Sequence, residues 1–207
     1  MREYDVIVIG GGINGLTAAA YLAKAGLSVG VFEARGQCGA HCDTVELGLP
    51  GFLHNTHAVW LVPALSPAMA DLELEHFGLE LRGTDVLFAK TFRGGKNVLQ
   101  SLDPSVTQAS VARASTRDAA VHARIAQYLM EHTPEALALG QQLIYGAPSA
   151  ALSRRRAAFH DGLLKALGMP LRGEDMQRMD GFEMLEALYE TEEVRTLPAA
   201  LGEYTGQ

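Results

Sequence analysis

Two cysteines in 207 residues cannot build a disulfide framework. That removes the small secreted scaffolds and makes a reducing cytoplasm the expected setting. Positive charge is also scarce: 17 Lys and Arg face 24 Asp and Glu, for a formal net charge of -7. Such a balance argues against a general nucleic-acid binder, which needs a basic face, and against attachment to an anionic membrane surface. No apolar run reads as a bilayer span. The stretch from Val6 to Ala23 is interrupted by Gly10, Gly11, Gly12 and Gly15 and carries Asn14 in its middle. Met1 to Asp5, with one positive and two negative side chains, does not read as a secretory n-region. Neither a G-x-S-x-G elbow nor a Ser/His/Asp set is legible, so hydrolysis has no support.

What is present is enough apolar sequence to bury a core: 48% hydrophobic residues against 20% charged. Asp5 to Ile9 is a short β-branched run suited to a central parallel strand. A glycine turn follows, then a helix from Ile13 to Ala25 that stops at Gly26, then a second strand from Leu27 to Phe32. Residues 36–62 are rich in Gly, Pro, His and Asn and read as an ordered loop region with short strands. Ser66 to His76 reads as one helix, with Pro67 in its first turn and Gly78 after its end. Residues 79–100 contain a hairpin signal around Arg93-Gly94-Gly95-Lys96. From Asp103 the chain becomes Ala-rich and helical, with starts at Asp103-Pro104 and Thr116-Arg117-Asp118 and further helices over 150–167 and 182–189. The expected organisation is α/β: residues 1–102 as a Rossmann-like βαβ half and 103–207 as a mostly helical second half.

The chemistry concentrates in the first half. Gly10-Gly11-Gly12-Ile13-Asn14-Gly15 is a G-x-G-x-x-G fingerprint placed directly after a strand and opening a helix. Gly10 permits the tight turn, Gly12 lets backbone approach a pyrophosphate, and Gly15 allows helix to pack on strand. The helix start adds free N–H groups and the positive end of the dipole. Glu33 ends the second strand at about the 20-residue offset of an acid that binds ribose hydroxyls. It disfavours a 2′-phosphate despite Arg35 nearby. The motif therefore points to an adenine dinucleotide other than NADP.

Several further segments carry a resemblance: Glu33-Ala34-Arg35, Cys38-Gly39-Ala40, Leu49-Pro50-Gly51-Phe52, His54-Asn55-Thr56 and Leu65-Ser66-Pro67. Together they resemble the start of the phytoene-desaturase-like FAD-dependent oxidoreductases of the amine-oxidase flavoprotein superfamily. The likeness runs from about Tyr4 to Leu81 and is fainter at Thr116 to Ala119 and Phe182 to Gly206. It implies FAD as cofactor, with Gly10, Gly12, Ile13, Asn14, Gly15, Glu33, Ala34 and Arg35 on the adenine side. It places Gly39, Ala40 and His41 along the pyrophosphate, with Asn55 and Thr56 where the chain turns towards the flavin. This sequence departs from the family pattern at three positions. Ala40 replaces the second glycine of a G-G pair, Asn55 an aspartate, and His57 a glycine. Three of the seven histidines, His41, His54 and His57, fall in this region. Either His57 or His54 borders the flavin or the substrate path, or all are packed loop residues.

Other features have plainer readings. Cys38 and Cys42 with His41 lack a fourth ligand at zinc-like spacing, so no metal is expected, and they read as ordinary thiols near the cofactor. Arg154-Arg155-Arg156 reads as a solvated helix face, Trp60 as core, and Met176, Met179 and Met184 as packing. Family members are more than twice as long, and a second glycine-rich motif that holds the flavin side is not found before Gln207. The resemblance thus leads to the expectation of a split enzyme: this chain supplies the ADP half and a second flavoprotein subunit completes the sheet, with a small-molecule substrate. A non-catalytic dinucleotide-binding subunit and a truncated longer enzyme are the alternatives.

Overall fold

The computed structural model describes residues 3–57 and 66–197. Trp60, and the part of the family-like segment beyond residue 197, lie outside the described residues. The chain divides into two compact units, residues 1–80 and 81–207. The composition shift near residue 103 falls inside the second of them.

In the first unit, β1 (Val6–Ile9) and β2 (Val29–Phe32) pair in parallel, Val6 opposite Val29 and Ile9 opposite Phe32. Helix α1 (Ile13–Lys24) makes the crossover. The turn into it needs glycine, because Gly10 sits at φ +100, a region that β-carbons disfavour. Gly26, at φ +90, closes the helix, its N–H donating to the Ala23 carbonyl. Two short strands, β3 (Thr44–Glu46) and β4 (Leu53–Asn55), then pair antiparallel with Thr44 opposite Asn55.

The single helix expected over 66–76 is two pieces. Helix α2 (Ala68–Asp71) ends at Leu72, and a 3-10 turn (Leu74–Phe77) follows Glu73, which lies at φ +52. A left-handed residue cannot continue a right-handed helix, so the periodicity alone misses the break. The first piece is held to α1, where Tyr21 donates a 2.7 Å hydrogen bond to Asp71 and Lys24 caps the Asp71 carbonyl.

The parallel pair is poorly covered. Ile9 is 89% and Phe32 52% exposed, and Ile7 and Val31 are exposed as well. Parallel sheets are normally buried on both faces, and here the outer edges of β1 and β2 have no partner strand among the described residues.

The second unit begins with an antiparallel hairpin, β5 (Val86–Thr91) and β6 (Asn97–Ser101), turned at Gly94 and Gly95 with φ +82 and +79. Helix α3 (Pro104–Ala114) starts on an Asp103 cap and lies on β6. Its buried Ser110 and Thr107 hydroxyls accept the Leu99 and Ser101 N–H groups at 3.0 and 2.8 Å. This joins the hairpin to the helices.

Helices α4 (Thr116–Glu131), α5 (Thr133–Tyr145), α6 (Ala150–Leu167), α7 (Gly173–Met176) and α8 (Gly181–Leu188) follow, then a helix described over 192–197. Their shared core includes Val98, Val111, Phe159, Leu163, Leu185, Val194 and Leu197. Met176 is buried and Met184 packs against this core. Arg154 and Arg155 are exposed, but Arg156 is half-buried, which corrects the reading of all three as a solvated face. The cause is helical spacing: Arg156 leans towards the side that carries the buried Ala157 and Phe159.

At the centre of the second unit the fully buried Asp118 accepts the N–H groups of Glu190 and Thr191 at 2.9 and 3.0 Å and the Thr191 hydroxyl at 2.7 Å. Beside it the buried Tyr189 phenol is pushed up to about 12, first by burial and then by the Asp118 charge. Among the described residues no helix is long and apolar enough to cross a membrane.

Candidate dinucleotide site

The glycine loop runs from the end of β1 into α1. Gly12 is the N-cap, extended at φ -73 and ψ 169, with no side chain to occupy the first-turn N–H groups. Those donors and the positive helix end are available to an anion. Gly15 faces back across the turn, and a β-carbon built there would fall well inside 3.0 Å of the Gly10 carbonyl oxygen and close to Val8. Helix and strand therefore approach as closely as backbone allows.

Glu33, at the end of β2, is fixed beside this loop. Its Oε2 accepts the Gly11 N–H at 2.6 Å and its Oε1 the Arg35 N–H at 2.9 Å. These two backbone donors, Arg35 first and Gly11 second, hold its carboxyl below the usual carboxylate range. With the Ala34 N–H as a third backbone donor, about one of a carboxylate's roughly four acceptor positions remains for a ribose hydroxyl. The charge itself opposes a 2′-phosphate.

The segment after β2 folds back onto the glycine loop. Gly39 donates to the Gly11 carbonyl at 2.8 Å, and Gly12 and Gly39 form an isolated parallel bridge. Cys38 lies directly against Gly11, leaving no room for a side chain on that glycine. Gly39, at φ +128, passes so close to the Cys42 carbonyl that an added β-carbon would lie 2.8 Å from it. Ala40 is also left-handed, at φ +51, where the family pattern has glycine.

An unanticipated acid organises the rest. Asp43 is only 7% exposed, and its carboxylate receives Arg35 Nη2 at 2.6 Å and the Thr56 hydroxyl. Those partners, Thr56 first, lower its titration below the ordinary aspartate range, and Asp43 in turn raises that of Arg35. Arg35 Nη1 also reaches the Ala40 carbonyl at 3.3 Å. No sequence pattern flags Asp43; its only signal is position, eight residues after Arg35 and just before β3.

The other expected residues separate. Ile13 and Asn14 are exposed in the first turn of α1, and Ala34 is exposed after β2. Asn55 is held across the β3–β4 pair by the Thr44 hydroxyl, 3.0 Å from its side-chain oxygen. His57 stands exposed with Nδ1 2.8 Å from the Thr56 hydroxyl oxygen, and its ring centroid is 4.6 Å from that of His41. His54 is exposed on β4 opposite Val45. His41 and His57 thus come together without His54.

The backbone donors, the fixed acid and the close glycine packing fit the pyrophosphate and ribose of an adenine dinucleotide. Residues 8–72 match the family described as an NAD(P)-binding Rossmann-like domain. The chain is 35% identical over 135 residues to pyridine nucleotide-disulfide oxidoreductase domain-containing protein 2 of Mus musculus, covering 61% of this chain and 23% of that protein. It is 38% identical over 120 residues to a subunit of the limonene dehydrogenase of Castellaniella defragrans, covering 58% and 22%. Carotenoid 3,4-desaturase of Haloarcula japonica is 38% identical over 78 residues, covering 38% and 15%. The chain spans less than a quarter of the length of these curated relatives.

Proposed function

We propose that the protein is one subunit of a split FAD-dependent oxidoreductase, because residues 8–72 match the family described as an NAD(P)-binding Rossmann-like domain and parts of the chain are similar to a limonene dehydrogenase subunit and a carotenoid desaturase. It supplies the ADP-binding half of the FAD site, and a second subunit completes the flavin and substrate side. The observation that carries this reading is the pairing of a glycine turn, an uncapped helix start and a fixed acid with a parallel strand pair that stays exposed among the described residues. The Gly10–Gly15 turn, the uncapped α1 and Glu33 are in place, while Ile9 and Phe32 remain exposed beside them. One relative is named as a subunit of its dehydrogenase, in keeping with a multi-subunit enzyme.

Bound FAD would supply the hydride acceptor for oxidation of a C–H, C–N or C–O bond. This chain's own residues bind and orient it. The first-turn N–H groups of α1 and the backbone at Gly12 take the pyrophosphate, Glu33 takes a ribose hydroxyl, and residues 38–41 line the loop beside them. Asn55 and Thr56 lie where the chain heads towards the flavin, with His57 and His54 as candidates at the substrate path. The helical stretch 103–207 contributes to the substrate cap. The substrate class is a small molecule, and residues that touch the reacting bond belong largely to the second subunit.

The test is co-expression of the full chain with its genomic neighbours, followed by a visible spectrum of the purified complex and bleaching with amines, alcohols and alkenes. A flavin-loaded hetero-oligomer that bleaches with one class supports the reading. A lone chain that is monomeric, well folded and saturated with FAD removes the split arrangement. A complex that holds the dinucleotide but turns nothing over leaves this chain a non-catalytic dinucleotide binder.

A further inference from the structure

Asp43 is the one buried charged side chain among the described residues of the first unit, and the two groups it holds come from different segments. Arg35 belongs to the stretch that follows Glu33, and its own peptide N–H binds the Glu33 carboxylate. Thr56 follows β4, ten residues after β3 ends. One carboxylate oxygen takes each partner, so Asp43 pins the two segments at a single point. Arg35 extends the connection to the left-handed Ala40 through its carbonyl. Thr56 extends it the other way: its hydroxyl proton goes to Asp43, so its oxygen accepts the Nδ1–H of His57.

The charges settle what Arg35 does. Its guanidinium is paired at 2.6 Å with a carboxylate that is almost fully withdrawn from water. A cation so paired is a weak ligand for a phosphate, and a planar fork that spans Asp43 and the Ala40 carbonyl is suited to hold a loop.

We propose that Asp43 is a positioning residue of the dinucleotide site, drawing Arg35 and Thr56 together so that the 38–40 segment stays against the glycine loop; this rests on the site reading above. Arg35 acts in this arrangement as a strap and not as a direct phosphate ligand. Thr56, although it lies on the flavin side, influences the adenine side through Asp43.

The experiment is calorimetric titration of the full chain with ADP, which lacks the flavin end, for wild type, Asp43→Asn, Thr56→Val, Thr56→Ser and the Asp43→Asn/Thr56→Val double variant. Far-ultraviolet dichroism and the unfolding midpoint are recorded without ligand. Asp43→Asn and Thr56→Val are each expected to weaken ADP at least tenfold, with Thr56→Ser within twofold of wild type. The double variant is expected within about twofold of the weaker single, because both changes cut one connection. ADP affinity of Asp43→Asn within twofold of wild type overturns the proposal and leaves the dinucleotide reading standing. So do additive losses, or a lowered unfolding midpoint with unchanged affinity. Where Asp43→Asn fails to fold, Thr56→Val decides alone, and wild-type affinity in it overturns the proposal. A folded wild type that binds no ADP removes the dinucleotide reading and this inference with it.

Discussion

Replacing Gly15 with Ala places one methyl group between α1 and the end of β1. That β-carbon would fall well inside 3.0 Å of the Gly10 carbonyl oxygen and 3.3 Å from Val8 Cγ1. The oxygen is backbone and cannot swing aside, so the start of α1 must retreat by about half an ångström or more. Overpacking of this kind costs about 1–3 kcal/mol of stability. The same movement carries the first-turn N–H groups away from a bound pyrophosphate. A charge-assisted hydrogen bond is worth about 1.5–3 kcal/mol, so losing one weakens ADP by roughly 10- to 150-fold. The assay is ADP calorimetry with a parallel unfolding curve, which separates the two effects. Gly26→Ala is the control: no atom lies within 4 Å of its added β-carbon and it is remote from the turn, although its φ of +90 costs some stability. A Gly15→Ala variant that binds ADP as wild type does would refute the close-packing argument, and with it the role given to the third glycine.

Ala40→Gly relieves a left-handed alanine at φ +51 and should stabilise the first unit by about 0.5–1 kcal/mol, read as a rise in the unfolding midpoint. Asp118→Ala strips the acceptor from two N–H groups and one hydroxyl in a fully buried place. It should cost about 3 kcal/mol or more and lower the midpoint of the second unit by on the order of 10 °C. Tyr189 ionises at about 12 in the folded chain against about 10 when unfolded, so the folded state holds its proton longer. The stability it contributes is complete below about pH 10 and is lost as pH rises towards 12. Ultraviolet titration of wild type against Tyr189→Phe checks this, and a tyrosine signal at the ordinary value would contradict the burial argument.

The βαβ start is readable in the sequence because its signals are local: a β-branched run, glycines at fixed offsets and an acid at the end of the next strand. The same holds for the Asp103-Pro104 helix start and the hairpin at Gly94-Gly95, where cap and turn chemistry act within a few residues. What is not readable depends on contacts made across the chain. Glu73 carries no local sign that it adopts φ +52, and the helical periodicity runs through it unbroken. Asp43 becomes legible only once the β3–β4 register brings Thr56 to the same carboxylate that Arg35 reaches. Likewise the closeness of His41 and His57 follows from the fold of residues 36–57, whereas their shared region in the sequence also includes His54. Nor does Ala40 carry a local sign of its left-handed backbone, at φ +51.

That residues 8–72 form the adenine half of a FAD site is tested most directly by titrating the full chain with ADP and, separately, with FMN. Saturable ADP binding near one per chain, undisturbed by excess FMN, is the expected result. Saturable FMN binding without ADP binding, or no response to ADP from a folded chain, would contradict it.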